Sequence, residues 1–282
     1  MKRLAPAIAL VLTACTVTAG PPSASPTGTA NSSPGAGQPA TPSSPGKGSS
    51  QPGGTVPGSA PPITYAELAA VGAMAKTYLQ ASPARSLLVE VDWMSGRKPA
   101  TSSLAHLESI LRRELAKPDG VDVRFGNEMA TTRSSWTVDD LVVAERQFRG
   151  ERSGGTRVTM WVAFLGGSFA ETPSALGAAF AASAAVVFRD RIGEATSALL
   201  IASEIERAVL THESGHLLGL VNIGYRSAFD HEDAGHPHHS NNPESVMYWA
   251  VEDLSIRNLL GGGPPDDFDP ADRADLAMLR GS

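Results

Sequence analysis

The stretch His212-Glu213-Ser214-Gly215-His216-Leu217-Leu218-Gly219 decides how this chain reads. On a helix, positions i and i+4 share one face about a turn apart, so both imidazoles can reach a single metal ion. Zinc takes imidazole nitrogen at roughly 2.0–2.1 Å, and its catalytic sites keep three protein ligands and one open position. Glu213, beside the first histidine, then stands where a carboxylate takes a proton from a water at that position. The helix is signalled over 197–218, a run without proline and with aliphatic residues at helical spacing. Gly219 follows where a left-handed residue turns the chain away.

Downstream, Ser245-Val246-Met247-Tyr248-Trp249 places a methionine in an apolar stretch after a histidine-rich loop. The combination His-Glu-x-x-His-x-x-Gly with Met247 resembles the metzincin zinc peptidases. The resemblance covers roughly residues 63–282, and its specific matches lie at 212–219 and 239–249. It implies an α/β fold with a metzincin-like catalytic domain: a twisted, mostly parallel sheet with an antiparallel edge strand. A long zinc-binding active-site helix and a small C-terminal subdomain ending in a helix complete it. It also implies one catalytic Zn2+ on His212 and His216, Glu213 as catalytic base, and Met247 in a methionine turn beneath the metal. Tyr248, next to that turn, reads as a core or surface tyrosine, with an approach to the oxyanion as the alternative.

One position departs from the family. Three residues after the glycine, metzincins carry His or Asp, whereas this chain has Asn222, whose amide oxygen is a weak zinc ligand. Further donors follow in Asp230, His231, Glu232, Asp233, His236, His238 and His239. Six of the seven histidines lie between residues 212 and 239, with only His106 outside, a clustering that composition does not explain. The archaemetzincin pattern sets its third histidine directly before Cys-x4-Cys-Val-Met. His239 precedes Ser240, four residues, then Ser245-Val246-Met247: the same spacing, with serine in both cysteine positions. This resemblance points to His239 as third ligand, with His236 and His231 as alternatives and Asp230 or Asp233 behind them.

The first 62 residues do not read as globular. Lys2 and Arg3 precede an apolar run from Leu4 to Ala14, too short to span a membrane and typical of an export signal. Leu12-Thr13-Ala14-Cys15 resembles a bacterial lipobox, which implies a signal peptide over 1–15 and lipidation of Cys15. Cys15 is the only cysteine in the chain, which leaves no intramolecular disulfide and no thiolate ligand for zinc. Residues 16–62, rich in Pro, Ser, Gly, Thr and Ala, read as a disordered linker. At roughly 5–6 Å × √n, about 47 residues give an r.m.s. reach near 40 Å. The expected location is therefore extracytoplasmic, on a bacterial membrane through the lipid anchor.

All 29 acidic residues but only 20 of the 23 basic ones fall after residue 62, so 63–282 carries a net charge of −9. No basic patch marks a nucleic-acid partner. Eleven acids lie between Asp230 and Asp275. They read as solvated loop charge, with a Ca2+ site as the alternative.

A coarse pass predicts helix over 64–81, strand 87–93, helix 102–116, strand 121–125, helix 137–148, and strands 157–165 and 184–188 before the zinc helix. Residues 176–182 are the expected edge strand, which can offer unpaired backbone groups to an extended peptide. A last helix starts near Asp269-Pro270. The function this implies is a zinc-dependent endopeptidase acting on extracytoplasmic proteins or peptides, expected as a monomer. Two alternatives stand beside it. One is a catalytically silent zinc-binding envelope module. The other is a gluzincin-type peptidase with Glu244 or Glu252 as third ligand, against which Gly219 and Met247 speak.

Overall fold

The protein is described by a computed structural model covering residues 65–198, 200–258 and 263–281. The expected signal segment, Cys15 and the linker lie outside the described residues.

Two short strands, β3 (Ser135–Trp136) and β5 (Ser168–Phe169), pair with each other. The main sheet is built from β1 (Ser86–Met94), β2 (Val121–Met129), β4 (Arg157–Leu165), β6 (Gly177–Ala181) and β7 (Ala184–Phe188). Its order is β2-β1-β4-β7-β6, with every pair parallel except β6 and β7, which run antiparallel. Among the described residues six α-helices accompany these strands: α1 (Ala75–Leu79), α2 (Thr101–Glu114), α3 (Val138–Phe148), α4 (Arg189–Ala195), α5 (Ala202–Leu217) and α6 (Pro270–Arg280). The fold is thus α/β, with a mostly parallel sheet and an antiparallel edge strand.

Parallel strands covered on both faces read as nearly continuous apolar runs, and β4 shows why. Val158, Met160, Val162 and Phe164 join Leu107 and Leu111 of α2 and Ile205 and Val209 of α5 in one core. The intervening Trp161, Ala163 and Leu165 pack with Leu141 and Ala144 of α3 in the other. The strict alternation seen in the sequence therefore separates two buried faces, not a buried face from a solvated one.

The helix expected over 64–81 is corrected to the five residues of α1. Residues 66–69 instead serve the β6–β7 turn, where Ala182 and Ser183 donate backbone hydrogen bonds to Ala69 and Glu67 (2.8 and 3.1 Å). Gly72 has φ +78°, and a Cβ there would lie 2.4 Å from Ile223 Cγ2. A continuous helix through that point is excluded.

α5 begins at Ala202, not at residue 197. It is fixed against its neighbours by the fully buried Glu206. That carboxylate accepts from Ala100 N (2.8 Å) and Ser103 Oγ (2.9 Å) at the start of α2, and pairs with Arg189 of α4 (2.9 Å). A carboxylate at a helix N-terminus satisfies otherwise unpaired N–H groups. α6 carries a capping box between Asp269 and Asp272, with Pro270 opening the helix and Gly281 (φ +83°) closing it.

Candidate metal centre

α5 ends in its motif. From Ile205 on nearly every residue is buried, including His212, Glu213 and His216. Gly215 lies in the last turn of α5, inside the helix, where glycine is less favourable than alanine by up to about 1 kcal/mol. The reason is contact: a Cβ at Gly215 would lie 2.3 Å from Met247 Sδ. Met247, fully buried, thus lies directly against the helix backbone between the two histidines.

The chain turns at Gly219 (φ +94°) and meets Asn222 in the left-handed region (φ +58°). Asn222 does not serve the centre. Its Oδ1 accepts from Ser227 N (2.6 Å), and its Nδ2 donates to Glu232 Oε2 (2.7 Å). The other oxygen of Glu232 accepts from His238 N (2.8 Å). Asparagine tolerates this backbone conformation and bonds locally, so it organises the loop that carries His239 back to the helix.

Three imidazoles converge. His212 and His216 Nε2 lie 3.0 Å apart, and the ring of His239 lies 5.2 and 5.1 Å from those of His212 and His216. Each Nδ1 faces a backbone carbonyl: His212 to Val246 O (2.7 Å), His216 to Leu220 O (3.1 Å), His239 to Pro237 O (3.0 Å). A carbonyl only accepts, so each Nδ1 carries a hydrogen, which leaves Nε2 as the atom each ring can offer to a metal ion. Outer partners of this kind fix the tautomer of metal-binding histidines. Burial, reinforced by His212 and His239, holds His216 well below the ordinary histidine range.

A fourth group, Glu252, stands on the 3-10 turn Trp249–Glu252. Its Oε1 lies 3.0 Å from His239 Nε2 and its Oε2 3.5 Å from His212 Nε2. One ligand atom from each of these four residues fits within 4.8 Å of the others. Burial acts to raise Glu252, but His239 and His212 outweigh it and hold the carboxylate well below its ordinary range. Burial would lower His239, and Glu252 more than offsets this. Tetrahedral zinc with 2.0–2.1 Å bonds sets its ligand nitrogens about 3.3 Å apart. The separation of His212 and His216 and the nitrogen-oxygen donor set both fit that ion.

Glu213 is buried beside this group, and neither carboxylate oxygen makes a hydrogen bond of good geometry. It faces the edge strand, where a Cβ on Gly177 would lie 2.5 Å from its Oε1. Burial first, and the Glu252 charge second, push Glu213 well above the ordinary carboxylate range, while the Ala179 N–H pulls the other way.

The remaining sequence candidates lie elsewhere. His236 stacks on Trp249 (4.2 Å, 9°) and pairs with Asp233 (2.9 Å). His238 Nδ1 meets Val221 O (3.0 Å). His231 is buried with Nε2 on Asp275 Oδ2 (3.0 Å), and its Nδ1 is 3.6 Å from Asp272. Asp230 and Glu244 are exposed, and Tyr248 packs partly buried against the core. The serines in the cysteine positions are both buried. Ser245 Oγ donates to Asp272 Oδ2 (2.6 Å) and accepts from Met247 N (2.9 Å), while Ser240 N donates to Met247 O (2.8 Å). The Ser245–Asp272 hydrogen bond therefore ties the turn at Met247 to α6. Sequence reasoning missed the place of Glu252 beside all three histidines and the contact of Gly177 with Glu213. The 3-10 turn that carries Glu252 has no periodicity to announce it.

No protein-family model matches the chain, and no curated protein matches it. Among solved structures it is similar to the crystal structure of an archaemetzincin from Methanopyrus kandleri, at 15% identity and a TM-score of 0.48, over 71% of this chain and 98% of that one.

Proposed function

We propose that this chain is a zinc-dependent endopeptidase of metzincin type, with His212, His216 and His239 as metal ligands and Glu213 as general base. The observation that carries this reading is the convergence of three imidazoles next to a buried glutamate that makes no hydrogen bond of good geometry. A structural ion needs the first of these features but has no use for the second. Bound zinc supplies Lewis-acid polarisation of a carbonyl and a lower pKa for water.

The chain's residues do the rest. Glu213, raised above the ordinary carboxylate range, is placed to accept a proton from the attacking water and return it to the leaving amine. Among the described residues β6 pairs only with β7, so its outer edge is free to add an extended peptide beside Glu213. Met247 supports the pair of helix histidines from below. Attachment through Cys15 and the 16–62 linker would place this domain outside a bacterial membrane, with proteins or peptides of that space as substrates.

The test is hydrolysis of a diverse peptide library by the purified full chain. Cleavage that chelator removes and zinc restores supports the proposal. One bound zinc with no cleavage of any library member would favour the silent binding module, for which Glu252 at the fourth position is the specific argument.

A further inference from the structure

We infer that Glu252 is a fourth protein ligand of the ion held by His212, His216 and His239, so that the resting centre is closed by the chain itself. This rests on the metal-centre reading above and adds to it a state of the site. Catalytic zinc sites leave one position to water or substrate, whereas sites with four protein ligands are closed. Here the fourth position has an owner.

Two independent features place it there. First, the Glu252 carboxylate spans His239 and His212, one oxygen to each, at 3.0 and 3.5 Å. His239 Nε2 is buried yet makes no hydrogen bond of good geometry, despite Oε1 at 3.0 Å. With a hydrogen at Nδ1 placed on Pro237 O, Nε2 is the atom that faces the carboxylate, and a cation held between them satisfies both.

Second, Glu252 is held by backbone on both sides. Leu176 N donates to Glu252 O (2.6 Å), Ala175 and Asp253 form an antiparallel bridge, and Leu254 N donates to Ser174 O (3.1 Å). On the other side Val251 N bonds Tyr248 O (3.0 Å), and Val251 is fully buried. The 3-10 turn is thereby joined to the methionine turn and to the residues that lead into β6. The side chain is only 21% exposed.

A carbonyl substrate must then displace this carboxylate, or share the ion with it, before Glu213 can act. Segments 174–176 and 249–254 are stitched together, so a peptide that reorganises the start of β6 also disturbs the hold on Glu252.

The experiment loads the full chain with one equivalent of Co2+ and follows its visible absorption during azide titration, for the parent, Glu252→Gln and Glu252→Ala. Thermal melts of the metal-free variants confirm folding. The expected result is a parent spectrum insensitive to azide. Both variants should show a changed spectrum, azide binding at least about tenfold tighter, and Co2+ retention weakened by tenfold or more against a chelator. Loss of outer partners alone costs 10–100-fold in metal affinity. Identical spectra, azide response and Co2+ affinity in parent and variants would overturn the inference while leaving the three-histidine centre standing. A parent chain that binds no Co2+, or a His239→Ala variant that binds it as the parent does, would overturn the metal-centre reading and this inference together.

Discussion

His212 and His216 face each other through Nε2 atoms 3.0 Å apart, and both rings have given their Nδ1 hydrogen to backbone carbonyls. Two imidazole nitrogens that close, on one helix face, can bind a single divalent ion. The fold brings a third imidazole, His239, and the Glu252 carboxylate beside the pair.

Glu213→Gln keeps the shape of the side chain and removes its basicity. Zinc content and melting temperature are expected to stay at parental values, while kcat falls by about 10²–10⁴-fold, the range for a positioned general base. A parental turnover rate in this variant would exclude Glu213 as the base.

Gly177→Ala tests the same group from the opposite side. The new Cβ would stand 2.5 Å from Glu213 Oε1 and 2.7 Å from Val209 Cγ1, so the carboxylate must move. Activity is expected to fall by tenfold or more with zinc still bound, since about 1.4 kcal/mol of lost transition-state stabilisation is already tenfold. Unchanged kcat and KM would show that Glu213 need not hold this position.

The three loop histidines are separated by chelator competition on single alanine variants. His239→Ala removes one of three converging imidazoles and should lose zinc at chelator concentrations that leave the parent loaded. His236→Ala gives up a stack on Trp249, and His231→Ala a bond to Asp275, so both should retain zinc to within about the 10–100-fold of outer-partner changes. Parental retention by the His239 variant would remove that residue from the shell.

Asp272 gives the fold a pH dependence. Its carboxyl is fully buried, and burial raises its pKa from 3.8 to about 7 against the pull of the Ser245 hydrogen bond. The folded state keeps a proton that the unfolded chain releases, so this group makes stability fall as pH rises from about 4 to about 7. Metal-free parent protein is therefore expected to lose more urea resistance between pH 5 and pH 8 than Asp272→Asn, which cannot ionise. Equal losses would show that Asp272 is ionised throughout.

Cys15→Ser is expected to abolish lipidation and shift the protein from the detergent phase to the soluble fraction. Unchanged partitioning would sink the proposed anchor.

Much of the fold was legible because each signal was local. The alternation in 157–165 and the leucine spacing of 102–116 mark β4 and α2 within a residue or two. The segment 64–81 misled because its alanines suit a helix, while Gly72 and the backbone bonds of 67–69 to the β6–β7 turn are tertiary facts. In the site, the histidine pair and its glutamate follow from helix periodicity alone. His239 required spacing to Met247, and the structure sets its ring beside the pair. Glu252 was visible only as one of two alternative ligands, because a carboxylate on an irregular turn becomes meaningful only when Leu176 and Ser174 fix that turn in space.

The most direct test of the account is anomalous scattering at the zinc edge from crystals of the zinc-loaded full chain. One peak is expected, about 2.0–2.1 Å from the Nε2 atoms of His212, His216 and His239. A peak that excludes His239, or zinc held only at His231 and Asp272, would contradict it.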